Sequence, residues 1–497
     1  MAVPSLLLTS LRFWDPETGL APVSDILLAD GRIAGIEREG TAGAPEGIER
    51  IDCTGHFGVP GLINGHHHSH EAHFRGRSEA QCLEEWMTGV RPQRPLALTP
   101  DDVRVRVLSI AAEALRSGTT TICDDVGIDP VARPDLLDAA AAAWDEAGIA
   151  AHVGPTMFDV GFARAVPFAE DMLPAMPAPS LADATAQVAA LAGFAAGLAR
   201  AGGRVRAIVA PSAPQRCTPG FLAALADLAA GDSLPLMMHA LETRVQVVGG
   251  RRQWPGGVIA YLDNLGILRP GTTLIHGVWL TQAEMAVLAG RGASVQLNPA
   301  SNLKLGSGVA DMAGLLAAGV NVSLGSDGCG SIETLGMGGT MALAALLSTL
   351  RGGPERWLKA EDALRAATAG GARALGREGQ IGRIATGAFA DIAIFRLDRA
   401  PFIPLGDPVR QLVFGQAVPH RVLVSGREVL RDGVPLLIDE TAVGTALAQV
   451  QVRLAPQLDA AEQAAAVLRP GMRAIRERCR AEPLGPGYDS LRLDAME

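Results

Sequence analysis

The sequence predicts a (β/α)8 TIM barrel, an α/β fold, carrying a small composite β-sandwich. Three observations predict it. Eight short apolar runs alternate with Ala/Leu-rich helical stretches through the middle of the chain, strand-like alternation occurs only near its two ends, and most of the scarce histidines sit where an apolar run stops.

The N-terminal part, residues 1–58, holds short alternating segments (LLLTSLRFWD, VSDILLAD, RIAGIERE) broken by Asp30-Gly31 and Gly-rich turns. The same texture returns in GAFADIAIFRLD at 387–398 and HRVLVSGREVLRDG at 420–433. Neither piece closes a sheet alone, so 1–58 and 386–440 are expected to pair into one sandwich around a barrel at 59–385. The barrel strands are read at 58–64, 119–125, 150–158, 205–211, 234–240, 272–277, 293–299 and 320–328. A doubly wound open sheet is the structural alternative. The Pro- and Met-rich interval 160–180 reads as a loop over the mouth, and 441–497 as a terminal helical segment packed on the surface or at a dimer contact.

Composition narrows the function. At 497 residues and 48% hydrophobic, the chain has ample core for a large domain with a companion. A net charge of −10 with both signs interspersed argues against a nucleic-acid partner. No apolar run reaches membrane-spanning length, and no cationic leader precedes the first apolar patch, so a cytoplasmic protein without membrane partners is expected. The six cysteines are scattered without CxxC spacing and read as buried thiols. A homodimer, or another homo-oligomer, is the default for a soluble enzyme.

Of ten histidines, five lie in GHHHSHEAH, directly after VPGLI. On a strand end, His66 and His68 project to one side while His67 points away, so the pair can offer two imidazole nitrogens to one metal. His239, His276 and Asp327 end the fifth, sixth and eighth predicted strands. Groups at the carboxyl ends of barrel strands converge, and these are the ligand types of a catalytic zinc. Singly, each has a plainer reading as a hydrogen-bonded histidine or an Asp-Gly turn; together they point to a metal site.

VPGLINGHHH at 59–68, HALET at 239–243, IHGVWL at 275–280, NPASNLKLGSG at 298–308 and LGSDG at 324–328 resemble the amidohydrolase superfamily. The likeness is to its branch of cytosine, guanine and S-adenosylhomocysteine deaminases and triazine hydrolases. GQIGRIATGAFADIAIF at 379–395 resembles that family's return into its β domain. The resemblance implies His66, His68, His239 and Asp327 as ligands of one divalent ion, Zn2+ with Fe2+ as the other candidate. It also implies catalytic roles for Glu242, His276 and Asp327, with Glu242 as proton shuttle, His276 facing the water and Asp327 orienting it. Relatives with two metals carry a carboxylated lysine after the fourth strand, whereas only Lys304 and Lys359 occur here, so one metal is implied.

Those roles imply hydrolytic deamination of a nitrogen heterocycle of purine, pyrimidine, pterin or triazine type, with zinc lowering the pKa of its water to about 7. Loss of chloride or an alkylamine from a triazine, and cyclic amide opening of the imidazolone type, remain open, as does a silent barrel scaffold. Substrate contacts are expected from Glu71, suited to ring NH donors, and from Gln215 and Asn302. A surface acid is the plainer reading of Glu71. PSAPQRC at 211–217 departs from the His-Ala-Pro-Tyr pattern of adenosine-type members, which sets S-adenosylhomocysteine apart from the expected substrates. Gln215 and Arg216 there suit carbonyl oxygens or an anionic group, with a structural role as the plainer reading of Arg216. Trp86 is read as a buried anchor, and His70 and His73 as neighbours of the site or surface groups.

Overall fold

The computed structural model describes residues 5–43, 47–91, 94–174, 181–485 and 487–488. Within the predicted mouth loop, residues 175–180 lie outside this set, as do the terminal residues 489–497.

Strand Leu62–His67 begins a parallel sheet that continues through Thr119–Val126 and Ala150–Met157 to Val205–Ala207 and Ala210–Pro211. A second parallel sheet runs Leu236–Ala240, Thr272–His276, Ser294–Leu297 and Asn321–Leu324. A bridge between Val209 and Leu236 joins the two sheets on one side. On the other side the Asp327 amide donates to the His66 carbonyl at 3.0 Å, and Asn64 bonds the Ser326 hydroxyl at 2.8 Å. The eight strands thus form the predicted TIM barrel, buried on both faces as parallel strands must be.

Strands from both chain ends meet in one mixed sheet. Leu6–Asp15 pairs with Ser24–Ala29 from Leu6 to Leu11, through a register shift between Leu8 and Leu11, and with His56–Pro60 at Arg12 and Phe13. His56–Pro60 then pairs with Ile392–Arg396, followed by Arg421–Val424 and Arg427–Arg431. Leu8, Leu11, Phe13, Ile26, Ile392 and Ile394 form the core between these strands.

The terminal segment is one helix, Glu440–Ala481, started by Asp439, whose side chain accepts from the Ala442 amide. It lies across helices that carry site residues. Val450, Leu454 and Leu458 pack with Leu83, Trp86 and Val90, while Met472, Ile475 and Cys479 pack with Val245 and Val248. Gln451 reaches His73 at 3.1 Å, and Arg473 pairs with Glu85. No helix among the described residues is long and apolar enough to cross a membrane.

Candidate metal centre and active site

Three strand ends deliver the four predicted metal-binding groups to one point. His66 and His68 come from the first strand, His239 from the fifth, and Asp327 from the turn after the eighth. The Nε2 atoms of His68 and His239 face each other at 3.3 Å. Asp327 Oδ1 lies 3.6 Å from His66 Nε2 and 3.7 Å from His68 Nε2.

The tautomers follow from what lies behind the rings. His68 Nδ1 donates to the Asp125 carbonyl and His239 Nδ1 to the Ser212 carbonyl, each at 2.8 Å, which leaves both Nε2 lone pairs bare and aimed at the common centre. His66 Nε2 is buried without any hydrogen-bond partner. A buried orphan acceptor is costly, and a cation at this point would satisfy all three nitrogens together. Burial, reinforced by neighbouring imidazoles, holds His66 and His68 well below the usual histidine range and brings His239 to about 3. The rings are therefore neutral, as ligation requires. Asp327 is fixed at both oxygens: Ser301 Oγ donates to Oδ2 at 2.6 Å and the Gly328 amide to Oδ1 at 2.8 Å. The donor set of three neutral imidazoles and one carboxylate fits a single divalent ion of the zinc type.

His276 stands beside this set. Its Nδ1 donates to Asn302 Oδ1 at 2.8 Å, which turns a bare Nε2 toward Glu242 Oε2 at 3.5 Å. Glu242 follows the fifth strand and is buried, with Oε1 accepting from Ser307 Oγ at 3.1 Å. Burial is the main cause that raises its pKa to about 7, so its carboxyl can hold or release a proton near neutrality. His276 and Asp327 adopt φ of +74° and +64°, a conformation that side-chain-bearing residues rarely occupy and that concentrates at functional sites.

The structure distributes the other expected residues unequally. Glu71 is not a surface acid: it is fully buried, both carboxyl oxygens lack a partner, and burial pushes its pKa well up. Gly328 makes room for it, since a Cβ there would stand 1.8 Å from Glu71 Oε2. Asn302 is placed behind His276, where its amide oxygen orients the ring. Gln215 is half-buried on the turn Pro214–Arg216, next to the fully enclosed Arg216. Trp86 is the anchor expected, its indole donating to the Gly330 carbonyl at 3.1 Å. His70 and His73 are both buried, His70 accepting from the Gly127 amide at 2.9 Å. Sequence reasoning missed Asp125, Ser307 and Arg91, and expected Ser301, with Asn298 and Asn302, on the pocket floor, whereas its hydroxyl bonds Asp327. Asp125 had a signal, because it lies at the end of the second predicted strand; a backbone carbonyl such as that of Ser212 has none.

A family model described as the amidohydrolase family matches residues 57–429. The 5-methylthioadenosine/S-adenosylhomocysteine deaminase of Desulforudis audaxviator is 33% identical over 86% of this chain and 94% of its own. The 5'-deoxyadenosine deaminase of Methanothermobacter thermautotrophicus is 32% identical over 88% of this chain and 96% of its own. Among solved structures, an adenosine deaminase from Xanthomonas campestris with bound zinc superimposes with a TM-score of 0.81 at 26% identity, covering 91% of this chain and 99% of that one. A triazine hydrolase from Arthrobacter aurescens gives 0.79 at 25% identity, covering 90% and 99%.

Proposed function

The chain belongs to the amidohydrolase family, and from that premise we propose that it removes the exocyclic amine of a purine-type heterocycle by hydrolysis at a single zinc ion held by His66, His68, His239 and Asp327. The observation that carries this reading is the pairing of two features in one enclosed place. Bare Nε2 atoms 3.3 Å apart await a cation, and a carboxyl with a pKa near 7 stands beside them. Adenosine-type rings are favoured because relatives named for such substrates match nearly the whole of their own length.

Zinc, when bound, supplies the Lewis acidity that makes water nucleophilic near neutral pH. The chain's own groups manage position and protons. Protonated Glu242 donates to the ring nitrogen next to the reacting carbon, which makes that carbon electrophilic. His276, with Nε2 bare, accepts a hydrogen bond from the attacking water and orients it. Glu242 takes up in turn the two protons that the attacking oxygen loses, passing the first to the departing amine and keeping the second, so an amino-heterocycle and water give an oxo-heterocycle and ammonia and Glu242 ends protonated as it began. Glu71 offers carboxyl oxygens to ring NH groups, a match that the lack of any internal partner supports. Asn302 acts through His276, and Gln215 is assigned to the ring's outer edge. We also assign 1–58 and 386–440 to the composite β unit and 59–385 to the barrel.

The test is ammonia release by zinc-loaded protein over adenosine-type nucleosides, guanine, cytosine, pterin and amino-triazines. Purine deamination is expected. Release of chloride or alkylamine alone, or turnover only of cyclic amides, would overturn the reading.

A further inference from the structure

We infer that the substrate carries an anionic group, a carboxylate or phosphate, that docks between Arg91 and Arg216 at the edge of the metal centre. The inference rests on the deaminase reading and adds the charge class of its substrate.

Arg216 is buried, with 6% of its surface exposed. Its guanidinium stacks 3.9 Å over the Phe158 ring, while Nη1 donates to Ser212 Oγ at 3.2 Å and Nε to the Val160 carbonyl at 3.4 Å. Ser212 is also the residue whose carbonyl orients His239, so this guanidinium stands directly beside the centre. Arg91 follows the helix Leu83–Val90. It contacts His70 Nε2 and lies so close over Gly127, at the end of the second strand, that a Cβ there would be 2.5 Å from its Nη1. The two arginines feel each other: after burial, Arg91 is the largest influence bringing Arg216 down to about 9.

A buried guanidinium near a second cation is costly unless a counter-ion joins them. Among the described residues, neither has a carboxylate within ion-pair distance. Asp125 faces both, but its Oδ1 accepts from Thr156 Oγ1 and its Oδ2 lies 3.8 Å from His68 Nδ1. Glu71 also faces Arg91, yet burial pushes its pKa well up, which disfavours the charged form a counter-ion needs. Guanidinium forks bind carboxylate and phosphate oxygens in pairs, and the polar edges left here match that demand. Arg91 contacts His70, whose ring centroid lies 5.2 Å from that of His68, and Arg216 bonds Ser212, which holds His239, so the two cations flank this pair of histidines.

Matched pairs test this with zinc-loaded protein: adenosine with adenosine 5'-monophosphate, 5'-methylthioadenosine with S-adenosylhomocysteine, and pterin with pterin-6-carboxylate. The pairs separate phosphate, side-chain carboxylate and ring carboxylate. In at least one pair, kcat/KM should favour the anionic member by about tenfold or more, the scale of one charge-assisted hydrogen bond. Arg91→Gln and Arg216→Gln should each erase most of that preference, and Arg91→Lys should keep part of it. Thermal shifts with pterin-6-carboxylate against pterin give a readout independent of turnover, and serve if Arg216→Gln does not fold. A wild-type enzyme that deaminates neutral members with no preference in any pair overturns the anion site alone. Equal losses on both members of a pair in the variants do the same. Turnover of no amine-bearing compound overturns the deaminase reading, and the inference with it.

Discussion

Ser301→Ala removes the one hydrogen bond that, among the described residues, a side chain donates to the Asp327 carboxylate. The Ser301 hydroxyl and Asp327 Oδ2 are 2.6 Å apart, and both residues are buried, so bulk water cannot replace the lost donor cheaply. A hydrogen bond to a charged group is worth about 1.5–3 kcal/mol, and if it serves to hold the carboxylate for the metal, zinc affinity should fall by roughly 10–100-fold. The Gly328 amide still holds Oδ1 at 2.8 Å, which keeps the loss below that of deleting the ligand. Competition for zinc against a chromogenic chelator measures the affinity, with circular dichroism as the control for folding. A folded Ser301→Ala protein that binds zinc within about twofold of wild type would refute the assignment of Asp327 as an oriented ligand.

Glu242→Gln should retain zinc, since Glu242 lies outside the proposed ligand set, while lowering kcat by about 100-fold or more in steady-state ammonia release; turnover near wild type would show that another group moves the proton. Leu454→Ala, at a fully buried position of the terminal helix, should cost about 2–5 kcal/mol in urea unfolding. His152 is buried and held near pKa 3, first by burial and then by Arg377. Its folded pKa is below the unfolded value, so its contribution to stability is full above about pH 6.5 and is lost as pH falls toward 3, on the order of 4 kcal/mol in all. Urea midpoints of His152→Asn against wild type across that window should show a shallower acid loss in the variant, and parallel curves would count against the shift.

The fold was legible because a parallel barrel writes itself as short apolar runs separated by helices, and VPGLI, TTTICDD and LPLMMHA do so plainly. The convergence of the candidate metal ligands was legible because HxH spacing and strand-end placement are side-chain facts. What escaped the sequence depends on backbone or on long-range packing. Ser212 and Asp125 orient histidines through carbonyls, which every residue possesses. Glu71 became a buried acid only because Gly328 and Gly330 leave room beside it. Arg91 sits in a Pro-flanked stretch with no periodicity, and its approach to His70 depends on how the preceding helix packs under the terminal one. That terminal helix was readable as a helix, but its course from Trp86 to Val245 was not.

The central claim is that His66, His68, His239 and Asp327 hold one catalytic divalent ion. Elemental analysis of wild-type and His239→Ala protein, purified without added metal and dialysed identically, tests it most directly. About one zinc per wild-type chain, and a large loss in His239→Ala with the fold intact, is the predicted result. A wild-type chain with no tightly held divalent ion, and none taken up when zinc is offered, would contradict it.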